Sequence, residues 1–315
     1  MSRATDAPDR RSTPTRHGSS FRIARIAGID LRVHFTFLIL VALFAAAAPD
    51  PGVVSALVTV GWLLAIFACV VIHEFAHSVM ARSRGVEVHE ILLLPLGGIS
   101  KLERLPENPA DEFAIAIVGP LASLGLAGGA AAVCIATGRP LVPIDLIAGA
   151  WFAKLAWLNL ILAAFNLLPA FPLDGGRVFR SQLERTHDLE SATRIATRVG
   201  HFFALLLVAV GFFFDVWLIL IGVFVYFGAS AEEAATIVHL RLRGHTVADA
   251  MRGDVDRIAP GPWVDAEAVA PDDPLSDELI ARLAQAIQHQ LPVRRDGVLV
   301  GVLRVEDVNR LVAAG

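Results

Sequence analysis

The chain has 315 residues, a formal net charge of −4 and 55% hydrophobic residues, at a mean hydropathy of +0.60. An apolar share this far above a soluble average excludes an ordinary soluble domain. The scattered basic residues, with no patch interleaved with aromatics, exclude a nucleic-acid partner. Apolar runs dominate up to about residue 230 and polar spacing returns after it, so the composition predicts a polytopic membrane protein with a soluble tail.

The N-terminal stretch MSRATDAPDRRSTPTRHGSS is rich in Ser, Thr, Pro and Arg and carries no apolar core. It reads as a disordered cytoplasmic tail over residues 1–20, not a cleavable signal peptide. A membrane-spanning helix needs about 20 mostly apolar residues. About six candidates follow, near 33–48, 53–80, 113–137, 151–168, 201–214 and 216–231. Pro49-Asp50-Pro51-Gly52 closes the first, and Asp215 marks the turn between the fifth and sixth. Basic residues lie before the first span (Arg22, Arg25, Arg32), between the second and third (Arg82, Arg84, Lys101, Arg104), between the fourth and fifth (Arg177 to Arg198) and after the sixth (Arg241, Arg243). The positive-inside rule then puts both termini in the cytoplasm of a multi-pass protein of the cell membrane. Cys69 and Cys134 both fall in apolar runs. They read as small buried hydrophobes, which leaves no disulfide framework and no cysteine metal site.

The second span ends in VVIHEFAHSVMAR, Val70 to Arg82. On a helix His73 and His77 are four residues apart and point the same way, so their imidazoles can grip one Zn²⁺. Glu74 lies about 100° around the helix, within reach of a water at the metal, which is the general-base position of a His-Glu-x-x-His hydrolase. Ionisable groups next to such an apolar run are functional candidates by default. Two histidines leave a catalytic zinc one protein ligand short. Asn159, Asn166 and Asp174 are candidates for the third ligand, while Asp145 and Asp215 read as loop residues of the far face. Asp174, in the loop LLPAFPLDGGR (Leu167–Arg177) on the same side as His77, is the expected ligand. Its glycines allow close backbone approach.

These motifs resemble the site-2 protease family of intramembrane zinc metalloproteases. His-Glu-x-x-His on one transmembrane helix is matched by HEFAH, and Asn-x-x-Pro…Leu-Asp-Gly on a later one by NLLPAFPLDGGR, Asn166 to Arg177. IVGPLASL (Ile117–Leu124) is similar to the family's Gly-Pro segment and LGGIS (Leu96–Ser100) to the piece before it. The resemblance covers about residues 21–232, the transmembrane protease core. It implies His73, His77 and Asp174 as zinc ligands, Glu74 as the base and Asn166 as a polar group near the reacting carbonyl. His34 and His89 stand outside the motif. The implied reaction is cleavage of the transmembrane segment of a single-span membrane protein by metal-activated water. Zinc lowers the pKa of water from 15.7 to about 7 and polarises the scissile carbonyl. Glu74 takes the proton and hands it to the leaving nitrogen. The substrate helix must first unwind. The proline-interrupted Ile91–Leu96 stretch is expected to offer an edge strand that pairs with it.

From about His245 strand and helix periods alternate. VADAM (Val247–Met251) and LPVRRDGVLVGVLRVEDV (Leu291–Val308) resemble a CBS motif, so residues 245–315 form a small α/β CBS-like domain. The resemblance implies an adenine nucleotide held through Asp307, and, because one copy is half a module, a homodimer through this part. Arg304 stands where the family often has Thr or Ser. The expected fold is therefore mainly α, a polytopic helical core with a small α/β appendage. The rival reading, a membrane transporter or channel with a regulatory CBS tail, predicts internal repeats or paired broken helices, and no repeat is found.

Overall fold

The structure is a computed structural model that describes residues 20–50, 52–95, 97–102, 108–142, 144, 149–253, 264 and 266–314. The expected disordered tail and Asp145 lie outside the described residues, apart from Ser20. The chain divides into two compact units, residues 1–71 with 89–101 and residues 72–88 with 102–315.

The first unit opens with a β-hairpin, β1 (Ser20–Ile26) and β2 (Ile29–His34). Ala27 (φ 49°) and Gly28 (φ 80°) make its two-residue turn, the left-handed pair that matches strand twist. β2 alternates buried and half-buried residues, with Ile29, Leu31 and Val33 inward. This strand occupies residues expected at the start of the first span, so that helix, α1 (Phe35–Ala46), is only 12 residues long. α2 (Val53–Ser83) follows, and Phe37 meets Phe67 edge to face with centroids 4.6 Å apart. β3 (Val88–Leu94) pairs with β2 in parallel, and the sheet order is β1-β2-β3-β4, with β4 at Gly97–Leu102. The expectation of a free edge at Ile91–Leu96 is therefore corrected. After Pro95 the chain enters β4, which takes the place beside β3, so the outer strands are β1 and β4. Leu96 itself lies outside the described residues.

The second unit holds the end of α2, α3 (Pro109–Ala136), α4 (Trp151–Asn166), α5 (Asp174–Leu183), α6 (Leu189–Phe214) and α7 (Val216–Leu242). α2, α3, α6 and α7 are each long and apolar enough to cross a membrane, while α1 and α4 are shorter apolar helices. At 1.5 Å per residue α4 is about 24 Å long, short of a hydrocarbon core of about 30 Å. The last two helices are longer than the sequence pattern predicts, because they run on past their apolar stretches into polar flanks at Leu189 and Leu242. Asp215 does separate them, its carboxylate accepting from the Trp217 amide at 2.9 Å. Large side chains on these helices face outward, Phe212, Phe213 and Phe214 at 77–81% exposure. An exposed apolar face of this extent fits lipid and not water.

The polar C-terminal part comprises α8 (Val247–Ala250), α9 (Asp277–Gln285), a 3₁₀ turn (Ile287–His289), β5 (Gln290–Arg295), β6 (Val298–Arg304) and α10 (Val305–Ala314). β5 and β6 form an antiparallel hairpin across Asp296 (φ 53°) and Gly297 (φ 81°), the Asp-Gly turn that favours such hairpins. Val247, Leu283, Leu291, Val293, Leu303 and Val308 form its core, and Leu242 at the end of α7 joins them.

Candidate metal centre

Within the second unit, α2 delivers His73 and His77, four residues apart on one helix face and both buried. Asp174 is the first residue of α5. The expected loop is shorter than the sequence suggested: it covers Leu167 to Leu173, and the helix begins at Asp174, where a carboxylate suits the positive end of the helix dipole. Gly175 and Gly176 make that helix start feasible. A Cβ at Gly175 would lie 2.2 Å from the Leu168 carbonyl oxygen, and one at Gly176 2.6 Å from the Phe171 amide nitrogen. The expected close backbone approach is thus present.

The three side chains converge. His73 Nε2 stands 3.1 Å from Asp174 Oδ2, His77 Nε2 stands 3.2 Å from the same oxygen, and the two Nε2 atoms are 3.2 Å apart. Among the described residues these three could hold a metal ion, each offering one ligand atom. Zinc bonds of 2.0–2.1 Å in a tetrahedron put ligand atoms about 3.3–3.4 Å from one another. The observed triangle, with sides of 3.1–3.2 Å, is close to one face of that tetrahedron.

α3 sets the imidazoles. His77 Nδ1 donates to the Ile115 carbonyl at 2.6 Å, which leaves the Nε2 lone pair of a neutral ring turned toward Asp174 and the other histidine. His73 Nδ1 and the Ser123 hydroxyl are 3.0 Å apart. Between them on the same helix lies Gly119, where a Cβ would sit 2.1 Å from His77 Nε2 and 2.8 Å from His73 Nε2. Any side chain there would enter the space the imidazoles need. The sequence reading quoted IVGPLASL but assigned no role to Gly119 or Ser123. Their signal was the spacing of four, which puts both on the α3 face that meets the histidines.

The other expected residues make contacts of their own. Asn166 caps no ligand: its amide donates to the Leu162 carbonyl of its own helix at 2.9 Å. Asn159 donates to the Leu155 carbonyl in the same way. Glu74 follows His73 on α2 and is half-buried, its carbonyl accepting from the Ser78 hydroxyl at 2.9 Å. His34 caps α1, accepting from the Thr36 amide at 3.4 Å. Asp307 is 5% exposed, with Oδ1 at 2.9 Å from Arg252 Nε and 3.4 Å from Arg310 Nη2.

Comparison with known proteins identifies the family. The family model described as Peptidase family M50 matches residues 61–141 and 142–207, which include both histidines and Asp174. A zinc metalloprotease of Methanocaldococcus jannaschii is 30% identical over 293 residues, 92% of this chain and 80% of its own. Rip3 of Mycobacterium tuberculosis, also named a zinc metalloprotease, is 34% identical over 91% of this chain and 74% of its own. The solved structure of the site-2 protease from Methanocaldococcus jannaschii superposes with a TM-score of 0.50 at 34% identity, covering 68% of this chain and 95% of that one. With four helices among the described residues fit to cross a membrane, this chain belongs to Peptidase family M50 and is an integral membrane zinc metalloprotease.

Proposed function

We propose that the protein is an intramembrane endopeptidase that cuts the transmembrane segment of single-span proteins, in the manner of regulated intramembrane proteolysis. His73, His77 and Asp174 are its zinc ligands, and Glu74 is its general base. The observation that carries the reading is the triangle of ligand atoms with sides of 3.1–3.2 Å, formed by residues 101 positions apart in the chain. When bound, zinc supplies Lewis acidity, lowering the pKa of water to about 7 and polarising a carbonyl. Glu74 holds the proton released as water attacks and returns it to the leaving nitrogen. Ser123 and the Ile115 carbonyl keep both imidazoles in the orientation their ligand role needs. Asn166 is a candidate to hydrogen-bond the reacting carbonyl through its second amide N–H, the first being donated to the Leu162 carbonyl. The positive-inside pattern supports residence in the cell membrane with both termini cytoplasmic.

For the C-terminal part, residues 245–315, the proposed reading is a CBS-like appendage that dimerises and takes an adenine nucleotide at Asp307. The Asp-Gly hairpin and the α10 helix following β6 support it. The transporter reading predicts internal repeats or paired broken helices, whereas His73, His77 and Asp174 meet at one metal-sized point.

The deciding experiment uses the purified full chain and a single-span model substrate. Bound zinc is measured by mass spectrometry and cleavage by gel for the wild type, Glu74→Gln and Asp174→Asn. Glu74→Gln is expected to keep zinc and lose at least about 100-fold in rate. Asp174→Asn is expected to lose both. Unchanged cleavage by Glu74→Gln would remove the proposed base.

A further inference from the structure

Beside Asp174, α5 carries two arginines that the metal centre does not use, Arg177 and Arg180. Arg180, six residues after Asp174, is 1% exposed. Its Nε donates to Glu112 Oε1 at 3.0 Å, and its Nη2 makes a shorter contact with the same oxygen. Its Nη1 donates to the Thr236 hydroxyl at 3.2 Å and stands 3.7 Å from Glu232 Oε1. The guanidinium also lies over the Phe171 ring, 5.0 Å from its centroid. One side chain thus joins α3, α5, α7 and the loop that leads into Asp174. A guanidinium buried this deeply is costly unless its partners are fixed, so it holds those partners in one geometry.

The position of Glu112 gives that clamp a purpose. On α3, Glu112, Ile115, Gly119 and Ser123 follow one another at spacings of three, four and four. They make a single helical stripe, and each is buried. The three after Glu112 are the residues that orient or make room for His73 and His77. One end of the stripe therefore grips α5, and the rest supports the imidazoles. α5, in turn, begins with the carboxylate that meets those imidazoles.

Resting on the zinc site proposed above, we propose that Arg180, through its fork onto Glu112 and Thr236, is a positioning residue that fixes Asp174 relative to the histidine-bearing face of α3. It touches neither substrate nor metal. Its work is to hold the carboxylate side of the ligand triangle in register with the imidazole side, which a lone ammonium cannot do because it lacks the planar fork.

The test reads metal binding instead of turnover. The full chain in detergent is stripped of metal and titrated with Co²⁺, whose d–d absorption reports ligand geometry. Wild type is expected to bind Co²⁺ and Asp174→Asn to lose it; failure of the wild type to bind sinks the zinc site and this inference together. With binding present, Arg180→Lys and Glu112→Gln are expected to weaken Co²⁺ affinity about 10–100-fold. Their absorption bands should shift, while helical circular dichroism and the elution profile of the metal-free proteins stay as in wild type. Combining Arg180→Gln with Glu112→Gln should weaken binding no more than the worse single change, because the two act as one unit. Thr236→Val removes a single hydroxyl, so it decides the matter if the charge variants do not fold. It is expected to weaken affinity several-fold. Folded Arg180→Lys and Thr236→Val proteins that bind Co²⁺ with wild-type affinity and spectrum would overturn the inference while leaving the zinc site standing.

Discussion

Two aspartates of this chain, Asp174 and Asp307, sit in opposite electrostatic settings. The partners of Asp174 are two imidazole nitrogens at 3.1 and 3.2 Å from one oxygen. Asp307 has guanidinium groups at 2.9 and 3.4 Å. Burying a carboxylate is expensive unless a compensating charge is near. The chain supplies that charge to Asp307 from Arg252 and Arg310. At Asp174 the neighbours are two imidazoles whose Nε2 atoms meet its Oδ2, an arrangement that could hold a metal ion. A carboxylate among imidazole nitrogens is thus a candidate metal ligand, and one among guanidiniums is held in an ion pair. Any nucleotide taken at Asp307 has to compete with an ion pair already made.

The comparison is broken most sharply at Gly119. A Gly→Ala change inside a helix ordinarily stabilises it by about 0.5–1 kcal/mol. Here the new methyl would stand 2.1 Å from His77 Nε2. Gly119→Ala is expected to lower bound zinc about tenfold or more, a loss of the size seen when a ligand's support is removed, and to abolish cleavage with it. Metal content by mass spectrometry checks this. Wild-type zinc in the Ala variant would mean that the imidazoles do not need the space α3 leaves them.

A smaller effect is expected at the other aspartate. Arg252→Leu leaves the buried Asp307 carboxylate with Arg310 alone. Loss of a partner from a fully buried pair costs about 3–5 kcal/mol, and surface pairs are worth about 0–1. The Arg252 side chain is 41% exposed, so the C-terminal part should lose roughly 1–2 kcal/mol. Faster proteolysis of residues 245–315 would report it, with zinc content unchanged. A fall in zinc would show that the two carboxylates are not independent.

How much of this was legible in the sequence differs between the two regions for a physical reason. That His73, His77 and Asp174 come together was legible because candidate metal ligands come from few residue types at helical spacing, and the turn residues around Asp174 are explicit. The alternating strand and helix periods of the tail were legible too, though its Asp-Gly hairpin was not singled out. The strand before α1 was missed because Leu31, Val33 and the residues after them form one apolar run, in which a strand and a helix start look alike. Val86–Ser100 was legible as a re-entrant or strand-like piece, but not that it divides into β3 and β4 with β3 in the interior, because strand pairing depends on partners far away in the chain. Arg180 was read as a cytoplasmic loop charge. Only the folded structure brings Glu112 and Thr236, 68 and 56 residues away, around it.

Glu184 sharpens the comparison, because its setting lies between the two. Its carboxyl sits at the end of α5, 3.9 Å from Arg180 Nε, which is already committed to Glu112. Burial pushes the Glu184 carboxyl up, the neighbouring Glu112 charge pushes it further, and Arg180 pulls it only part of the way back, to about 7 from an ordinary value of 4.5. The folded protein therefore keeps this proton between about pH 4.5 and 7, where the unfolded chain has released it. The folded state binds more protons in that window, so this group's stabilisation is complete below about pH 4.5 and lost as pH rises through 7. Thermal unfolding of the metal-free protein at about pH 5.5 and pH 7.5 should show a fall in Tm that Glu184→Gln reduces, raising Tm at the higher pH by about 2 °C. An identical pH dependence in wild type and variant would mean that Arg180 compensates both glutamates, and that Glu184 belongs with Asp307 after all.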